Sequence, residues 1–402
     1  MASAYEEIVN KIENMRRFGK KTGYEISKDL LSYLDYPEMN YEIIHIAGTN
    51  GKGSTAMYSA SILSTKYKVG LFTSPHLISF RERIQIGTDT VFEMIQQRDV
   101  VRLGTLVLDI CAKHDLEPTM FDITLAMALL YFKEQECDYV VLETGLGGRF
   151  DSTRAVSKVP VVSIFTNIGF DHEAILGDTL TEIAHNKAGI LQNGTQAVIG
   201  EMDEDARETI IRDCETKSVP FIFADEVPGD DLLSLRLSPY QIENAKNAIA
   251  VVRLLEEEFD TFNGIKRAKW PGRMDVISKN PFVMVDGAHN PQGVAALKKG
   301  LKILYPDEKF TFIVGVLADK DYVSMMEQMV SVATRFLTVT VDSARALDGE
   351  ELAKTISSYG VSAEVYDKIE NAISDAKKQK EKIVIFGSLY FIGEVLELFK
   401  EK

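Results

Sequence analysis

Short runs that are apolar throughout alternate along this chain with segments whose apolar residues recur every three or four positions. The first runs are YEIIHIA (41–47), YKVGLFT (67–73), CDYVVLE (137–143), VPVVSIFT (159–166) and QAVIG (196–200). Helical spacing covers about 5–19 and 26–35, a stretch from about 53, and 179–189. Strands without polar alternation are buried on both faces, so the pattern predicts a mostly parallel sheet with helices on both faces. A second series follows: PFVMVDG (281–287), KFTFIVGV (309–316), FLTVTV (336–341), SAEVY (362–366) and KIVIFG (382–387), with helices at 291–304, 320–331, 350–358, 368–379 and 388–400. Between the two series lies KRAKWPGRMDVI, where Pro271 and Gly272 interrupt any regular element. The expected architecture is two α/β domains: an N-terminal P-loop-type domain, 1–271, and a smaller Rossmann-like domain, 272–402.

Composition narrows the class. The chain has 402 residues, 45% apolar and 26% charged, and no apolar run approaches the ~20 residues that span a bilayer. The first helix carries Glu6, Glu7 and Glu13 where a secretory signal needs an unbroken apolar segment, so a cytoplasmic protein without a membrane partner is expected. Cys111, Cys137 and Cys214 are far apart and form no C-x-x-C pair, which suits small core residues rather than disulfides or a thiolate metal site. A net charge of −15 without a clustered basic face argues against nucleic acid. It does not exclude ATP, because charges beyond ~8 Å are screened at physiological salt.

The candidate chemistry starts at HIAGTNGKGST (45–55), which leaves a strand and enters a helix. Glycines permit close backbone approach to phosphate, the helix N-terminus adds partial positive charge, and a lysine can reach the terminal phosphates. Thr49, Asn50, Gly51, Lys52, Gly53 and Ser54 are therefore the expected ATP loop, with Gly53 standing where a hydroxyl is usual and Ser54 next to it. VVLETGLGGRFDST ends a buried strand with Glu143, a carboxylate suited to Mg²⁺ or simply solvated at a strand end. TNIGFDHEAILGDTLTEIAHNKAGI brings Asp171, His172 and Lys187 after another strand. His172 reads as a loop or capping histidine or a ligand, and Lys187 as a surface lysine on a helix. Phe121, in the apolar helix TMFDITLAMALLYF, reads equally as core packing.

HIAGTNGKGS, TSPHLISFRERI, TMFDITLAMA, VVLETGLGGRFDST, TNIGFDHEAILGDTL, IAHNKAGI, WPGRMDVI, VDGAHNPQGV and FGSLYFIGEV occur in this order. Together they resemble the folylpolyglutamate synthase and dihydrofolate synthase family, a branch of the Mur ligases; segments near 90–115 and 200–235 lie outside the likeness. The resemblance implies an ATP-dependent amide ligase: a substrate carboxylate becomes an acyl phosphate, and the amino group of L-glutamate displaces phosphate. The acceptor would be a reduced folate or dihydropteroate. By resemblance, Lys52 holds phosphates and Arg273 and Asn244 the nucleotide. Ser74 and Glu143 would ligate one Mg²⁺ and His172 a second, with Lys187 a carbamate acting as a metal ligand. Asp286 and His289 would lie near nucleotide and glutamate. Ser74, Pro75, His76, Arg83 and Phe121 would line the folate pocket, and Arg345, Ser388 and Tyr390 the glutamate-side cleft, the last two also reading as helix-start residues. The family default is a monomer.

Departures are Asp122 where Glu is frequent after the phenylalanine, Asn186 in place of Glu before the lysine, Arg154 in place of Asn, and Tyr240 in place of His. Two other readings stay open at this level. One is a Mur-type ligase acting on a cell-wall or peptide-like carboxylate; the other is an ATPase or nucleotide switch that makes no bond and leaves the DGAHNP segment unexplained.

Overall fold

The structure is a computed structural model that describes residues 3–15 and 24–400. Its chain separates into two compact units, 1–235 with 241–269, and 236–240 with 270–402. The five-residue excursion Arg236–Tyr240 into the second unit was not foreseen from the sequence.

The first unit contains β1 (Glu42–Ala47), β2 (Val69–Phe72), β3 (Ile84–Thr88), β4 (Val91–Met94), β5 (Tyr139–Glu143), β6 (Val162–Phe165), β7 (Gln196–Ile199) and β8 (Phe221–Phe223), in the order β4-β3-β2-β5-β1-β6-β7-β8. Its helices are α1 (Ala4–Glu13), α2 (Glu25–Tyr33), α3 (Lys52–Leu63), α4 (Gln97–Lys113), α5 (Met120–Glu134), α6 (Glu173–Leu176), α7 (Leu180–Lys187), α8 (Glu204–Thr216), α9 (Pro239–Leu254) and α10 (Thr261–Arg267). The expected helix at 5–19 is described through Glu13, and its positions 16–19 lie outside the described residues.

Burial on both faces explains the unbroken apolar runs. Ile43 and Ala47 of β1 pack with the helical layers containing α5 and α7, while Ile44 and Ile46 on the opposite face are also fully buried. Strands β5, β1 and β6 run parallel at the centre. The chain leaves β1 toward β2, returns to β5, then crosses to β6 on the other side of β1. The crevice at the carboxyl ends of these strands is where open α/β sheets receive ligands.

Strands β3 and β4 are antiparallel, and they, α4, α8, β8 and α10 were not read from the sequence. Helix α4 has a helical apolar stripe, Val100, Leu103, Val107 and Cys111, whereas β8 is three residues long and too short to show a period. All three cysteines are buried, as expected of core residues.

The second unit holds β9 (Asp275–Lys279), β10 (Phe282–Val285), β11 (Phe310–Val314), β12 (Ala333–Val339), β13 (Ala363–Tyr366) and β14 (Ile383–Phe386) in the order β13-β12-β11-β14-β10-β9. Every pairing is parallel except the unforeseen edge strand β9. Helices α11 (Pro291–Leu304), α12 (Tyr322–Met329), α13 (Gly349–Ser358), α14 (Ile369–Lys378) and α15 (Leu389–Lys400) complete it. Met284, Phe312, Phe336 and Phe386 face α11, α12 and α13, and Val283, Ile313, Leu337 and Ile385 are buried on the other side.

One departure from the family pattern has a structural role. Asp122, buried at the start of α5, accepts hydrogen bonds from the Ser27 hydroxyl, the Ser152 hydroxyl at 2.7 Å, and the Thr119 N–H and hydroxyl at 2.8 and 2.6 Å. It ties α2, α5 and the segment after the Glu143 loop together. Asp122→Ala strands several buried donors and is expected to destabilise the first unit by about 3 kcal/mol, seen as a lower urea midpoint.

Candidate active site

Helix α3 begins directly after Gly51, whose φ of +87° and contact with Asn244 leave no room for a side chain: a Cβ there would lie 2.3 Å from Asn244 Oδ1. No side chain caps α3, so the first-turn amides point toward a site for an anion. The loop is braced by the neighbouring strand end. Thr49 N–H donates to Asn167 O at 2.6 Å, the Thr49 hydroxyl bonds Gly169, and Thr166 Oγ1 donates to Asn50 O at 2.7 Å. Asn244 Oδ1 also lies 3.5 Å from the Thr55 hydroxyl, so α9 stands against this loop. Ser54 is buried in the first turn.

Two lysines converge on one carbonyl. Lys52 Nζ donates to Gly48 O at 3.1 Å and to Thr49 O at 3.2 Å, and Lys187 Nζ donates to the same Gly48 O at 2.8 Å. The surface-lysine reading of Lys187 is thereby corrected: it is 3% exposed. Burial first, then the charge of Lys52, lowers its pKa from 10.5 to about 7, against a smaller upward pull from Asp171 and Asp151. An amine that is about half uncharged at pH 7 is a nucleophile toward CO₂, which an ordinary lysine, almost wholly ammonium there, is not.

Parallel pairing of β2 and β5 brings Ser74 beside Glu143. The Ser74 N–H donates to Glu143 Oε2 at 3.0 Å, and Glu143 is buried. Among the described residues, no three His, Cys, Asp or Glu side chains gather to hold a metal. One carboxylate suffices for Mg²⁺ when phosphate oxygens complete the shell. An uncharged amine is not a Mg²⁺ ligand, so Lys187 fits such a site only as its carbamate. His172 is about half exposed at φ +54°, with Asp171 Oδ1 accepting from its backbone N–H.

The TSPHLISFRERI segment is organised by Glu82, which accepts the N–H groups of Leu77, Ile78 and Ser79 at 2.7, 3.0 and 2.8 Å. Arg83, buried, donates from Nε to His76 Nδ1 at 2.8 Å. His76 therefore carries its proton on Nε2, which faces Glu13 at 3.5 Å. Burial and then Arg83 push its pKa down to about 4, so it is neutral at pH 7. Pro75 lies between Ser74 and His76. Phe121 packs edge-on against Phe72, ring centroids 5.5 Å apart, and is only partly buried.

In the second unit, Asp286 follows β10 and is buried. Its Oδ2 accepts from the Tyr240 hydroxyl and Met274 N–H, and Oδ1 from Ala288 N–H, each at 2.8 Å. Burial raises its pKa, partly offset by Arg273. The Tyr240 departure thus supplies the hydroxyl that fixes this carboxylate. His289 donates from Nδ1 to Gly287 O at 2.8 Å, and Arg273 donates to Gly272 O at 2.9 Å. Arg345 pairs with Asp319 at 2.6 Å, Ser388 is buried before α15, and Tyr390 is 48% exposed. The structure places Asp286 and His289 on the turn after β10, brings the Gly272–Arg273 segment against that turn through the Gly287 N–H bond to Gly272 O at 2.8 Å, and leaves Arg345 on another loop pair.

The sequence reading passed over Asp151. It is buried after the Glu143 loop and accepts Leu146 N–H at 2.7 Å, Thr153 N–H at 3.0 Å and the Thr153 hydroxyl at 2.6 Å. Its signal was present as the Asp-Ser-Thr turn, in which an aspartate caps the following amide.

Residues 46–232 match the Mur ligase middle domain and residues 272–389 the Mur ligase glutamate ligase domain. The dihydrofolate synthase/folylpolyglutamate synthase of Bacillus subtilis is 33% identical over 100% of both chains. Folylpolyglutamate synthase of Thermotoga maritima superposes with a TM-score of 0.85 at 30% identity, covering 99% of this chain and 97% of that one. Escherichia coli FolC in complex with DHPP and ADP gives a TM-score of 0.87 at 25% identity, covering 100% and 98%.

Proposed function

The chain belongs to the folylpolyglutamate synthase and dihydrofolate synthase family of Mur ligases, and from that premise we propose how its own residues carry the reaction. It is an ATP-dependent carbon–nitrogen ligase that adds L-glutamate to a folate.

The proposed course is transfer of the γ-phosphoryl group to the acceptor carboxylate, followed by attack of the glutamate amine and release of phosphate. Two anions must meet in the first step, so cations at the transferred group lower its barrier most. The amides of α3 and Lys52 take the phosphates, and Asn244 the nucleotide. Mg²⁺ held by Glu143, Ser74 and His172 would screen the phosphate charge, at two sites by family analogy. We assign Lys187 as a carbamate in that shell. In the second unit, Asp286 joins the Arg273 segment, through Met274 N–H, to the turn carrying His289, through Ala288 N–H, and Arg273 and His289 are assigned to nucleotide and glutamate. Arg345, Ser388 and Tyr390 are assigned to the glutamate side, and Pro75, His76, Arg83 and Phe121 to the acceptor, where aromatic faces suit a flat pteridine.

The observation that carries this reading is the convergence of Lys52 and Lys187 on Gly48 O, 3.1 and 2.8 Å away. It supports the reading of Lys52 and Lys187 as two groups that serve one phosphate loop. We also propose that dihydropteroate is accepted beside tetrahydrofolate, since the full-length Bacillus relative carries both activities in its name. Purified protein with ATP, Mg²⁺ and labelled glutamate is expected to form product with each acceptor. Oxygen-18 in the acceptor carboxyl should appear in the released phosphate; unlabelled phosphate would eliminate the acyl phosphate route. Product from tetrahydrofolate alone would remove the dihydropteroate assignment and leave the ligase reading intact.

A further inference from the structure

Strand β1 carries a histidine where its neighbours are aliphatic. His45 is fully buried, and its Nε2 lies 2.7 Å from Thr153 Oγ1, while Nδ1 has no hydrogen-bond partner. The Thr153 hydroxyl donates to Asp151 Oδ1, so it must accept from His45 Nε2–H, which sets the imidazole tautomer. An unpaired buried nitrogen is destabilising, because its hydration is lost without replacement. A leucine or valine there would avoid that cost, so packing alone does not account for the ring.

The chain of bonds runs from the strand that bears the phosphate loop to the loop that follows Glu143. Asp151 takes the Thr153 hydroxyl and Thr153 N–H on one oxygen and Leu146 N–H on the other. Leu146 lies between Glu143 and Gly148, three positions after the one and two before the other. That loop rests on the end of α7: Arg149 N–H donates to Asn186 O at 2.8 Å, and a Cβ on Gly148 would come within 2.5 Å of Lys187 O. A shift of Asp151 therefore moves the loop by which Glu143 and Lys187 are registered against residues 48–53.

We propose that His45 is a positioning residue: through Thr153 it orients Asp151, and so sets the 144–151 loop, with Glu143 and Lys187, relative to the phosphate loop. His45 itself touches neither nucleotide nor acceptor. Its kinetic consequence rests on the metal role assigned to Glu143 above, whereas its structural consequence does not.

The test uses His45→Leu, Thr153→Val and His45→Gln in the full chain, with Glu143→Gln as reference. Glutamine can place an amide N–H near the position of Nε2. Both relay-breaking variants are expected to raise amide hydrogen exchange across 144–153 while β7 and α8 keep wild-type protection. They should also increase the Mg²⁺ needed for half-maximal rate by about 10- to 100-fold, the usual effect of losing a group behind a metal ligand. His45→Gln should recover most of both, and the double variant His45→Leu/Thr153→Val should be no worse than either single one. Unchanged exchange at 144–153, additive losses, or a His45→Gln variant as impaired as His45→Leu would each overturn the proposal. If Glu143→Gln leaves the Mg²⁺ dependence unmoved, the metal reading fails, and the exchange data still decide the relay.

Discussion

Lys187→Ala is expected to lose ligase activity by about 10³-fold or more, and a short carboxylic acid such as propionate should restore part of it. Loss of one preorganised electrostatic group at a reacting centre costs about 10²- to 10³-fold, and here the loss removes both the proposed metal ligand and the hydrogen bond to Gly48 O. The small acid supplies a carboxylate in the space the side chain vacates. The wild type should show a linked pH response. Its Lys187 pKa is lowered to about 7, so the amine is mostly uncharged above that pH and mostly ammonium below it. Only the uncharged form takes up CO₂. In carbonate-depleted buffer activity should therefore fall, bicarbonate should restore it, and restoration should weaken as pH drops below about 7. ¹³C-bicarbonate should give a carbamate resonance that is missing from Lys187→Ala. Full activity in the alanine variant, or no such resonance in an active wild type, contradicts the assignment.

Lys52→Met should lower kcat/KM by a comparable factor of about 10³ while leaving the fold intact. The larger part is expected from loss of the cation proposed for the terminal phosphates, and ADP affinity measured by calorimetry should fall with it. A second effect separates this variant from a simple binding defect. The charge of Lys52 helps hold the Lys187 pKa down, so removing it lets that pKa rise. The residual activity should then begin at a higher pH than in the wild type. A residual activity whose pH midpoint stays in place would show that the charge of Lys52 does not set the Lys187 pKa.

Much of the fold was legible because its signals are local. Runs such as YEIIHIA and KIVIFG read as strands buried on both faces, and they stand as β1 and β14. The glycine-lysine turn lies between β1 and α3, as its spacing predicted. What escaped were elements whose periods are weak or brief, such as β8 and the antiparallel edge β9, along with α4, whose stripe was present but unread.

The candidate site divides along the same line. Sequence by itself determined the parallel α/β class, the strand-to-helix phosphate turn and the family, because backbone geometry, apolar period and ordered motifs are properties of neighbouring residues. Only the tertiary structure decided that Lys187 is buried and shares Gly48 O with Lys52, that Tyr240 serves Asp286 and that His45 reaches Asp151 through Thr153. Three of those contacts, Lys187 to Gly48, His45 to Thr153 and Tyr240 to Asp286, join residues 139, 108 and 46 positions apart. Burial, charge proximity and hydrogen-bond partnership across such separations follow from strand order and helix packing, which no local pattern in the chain spells out.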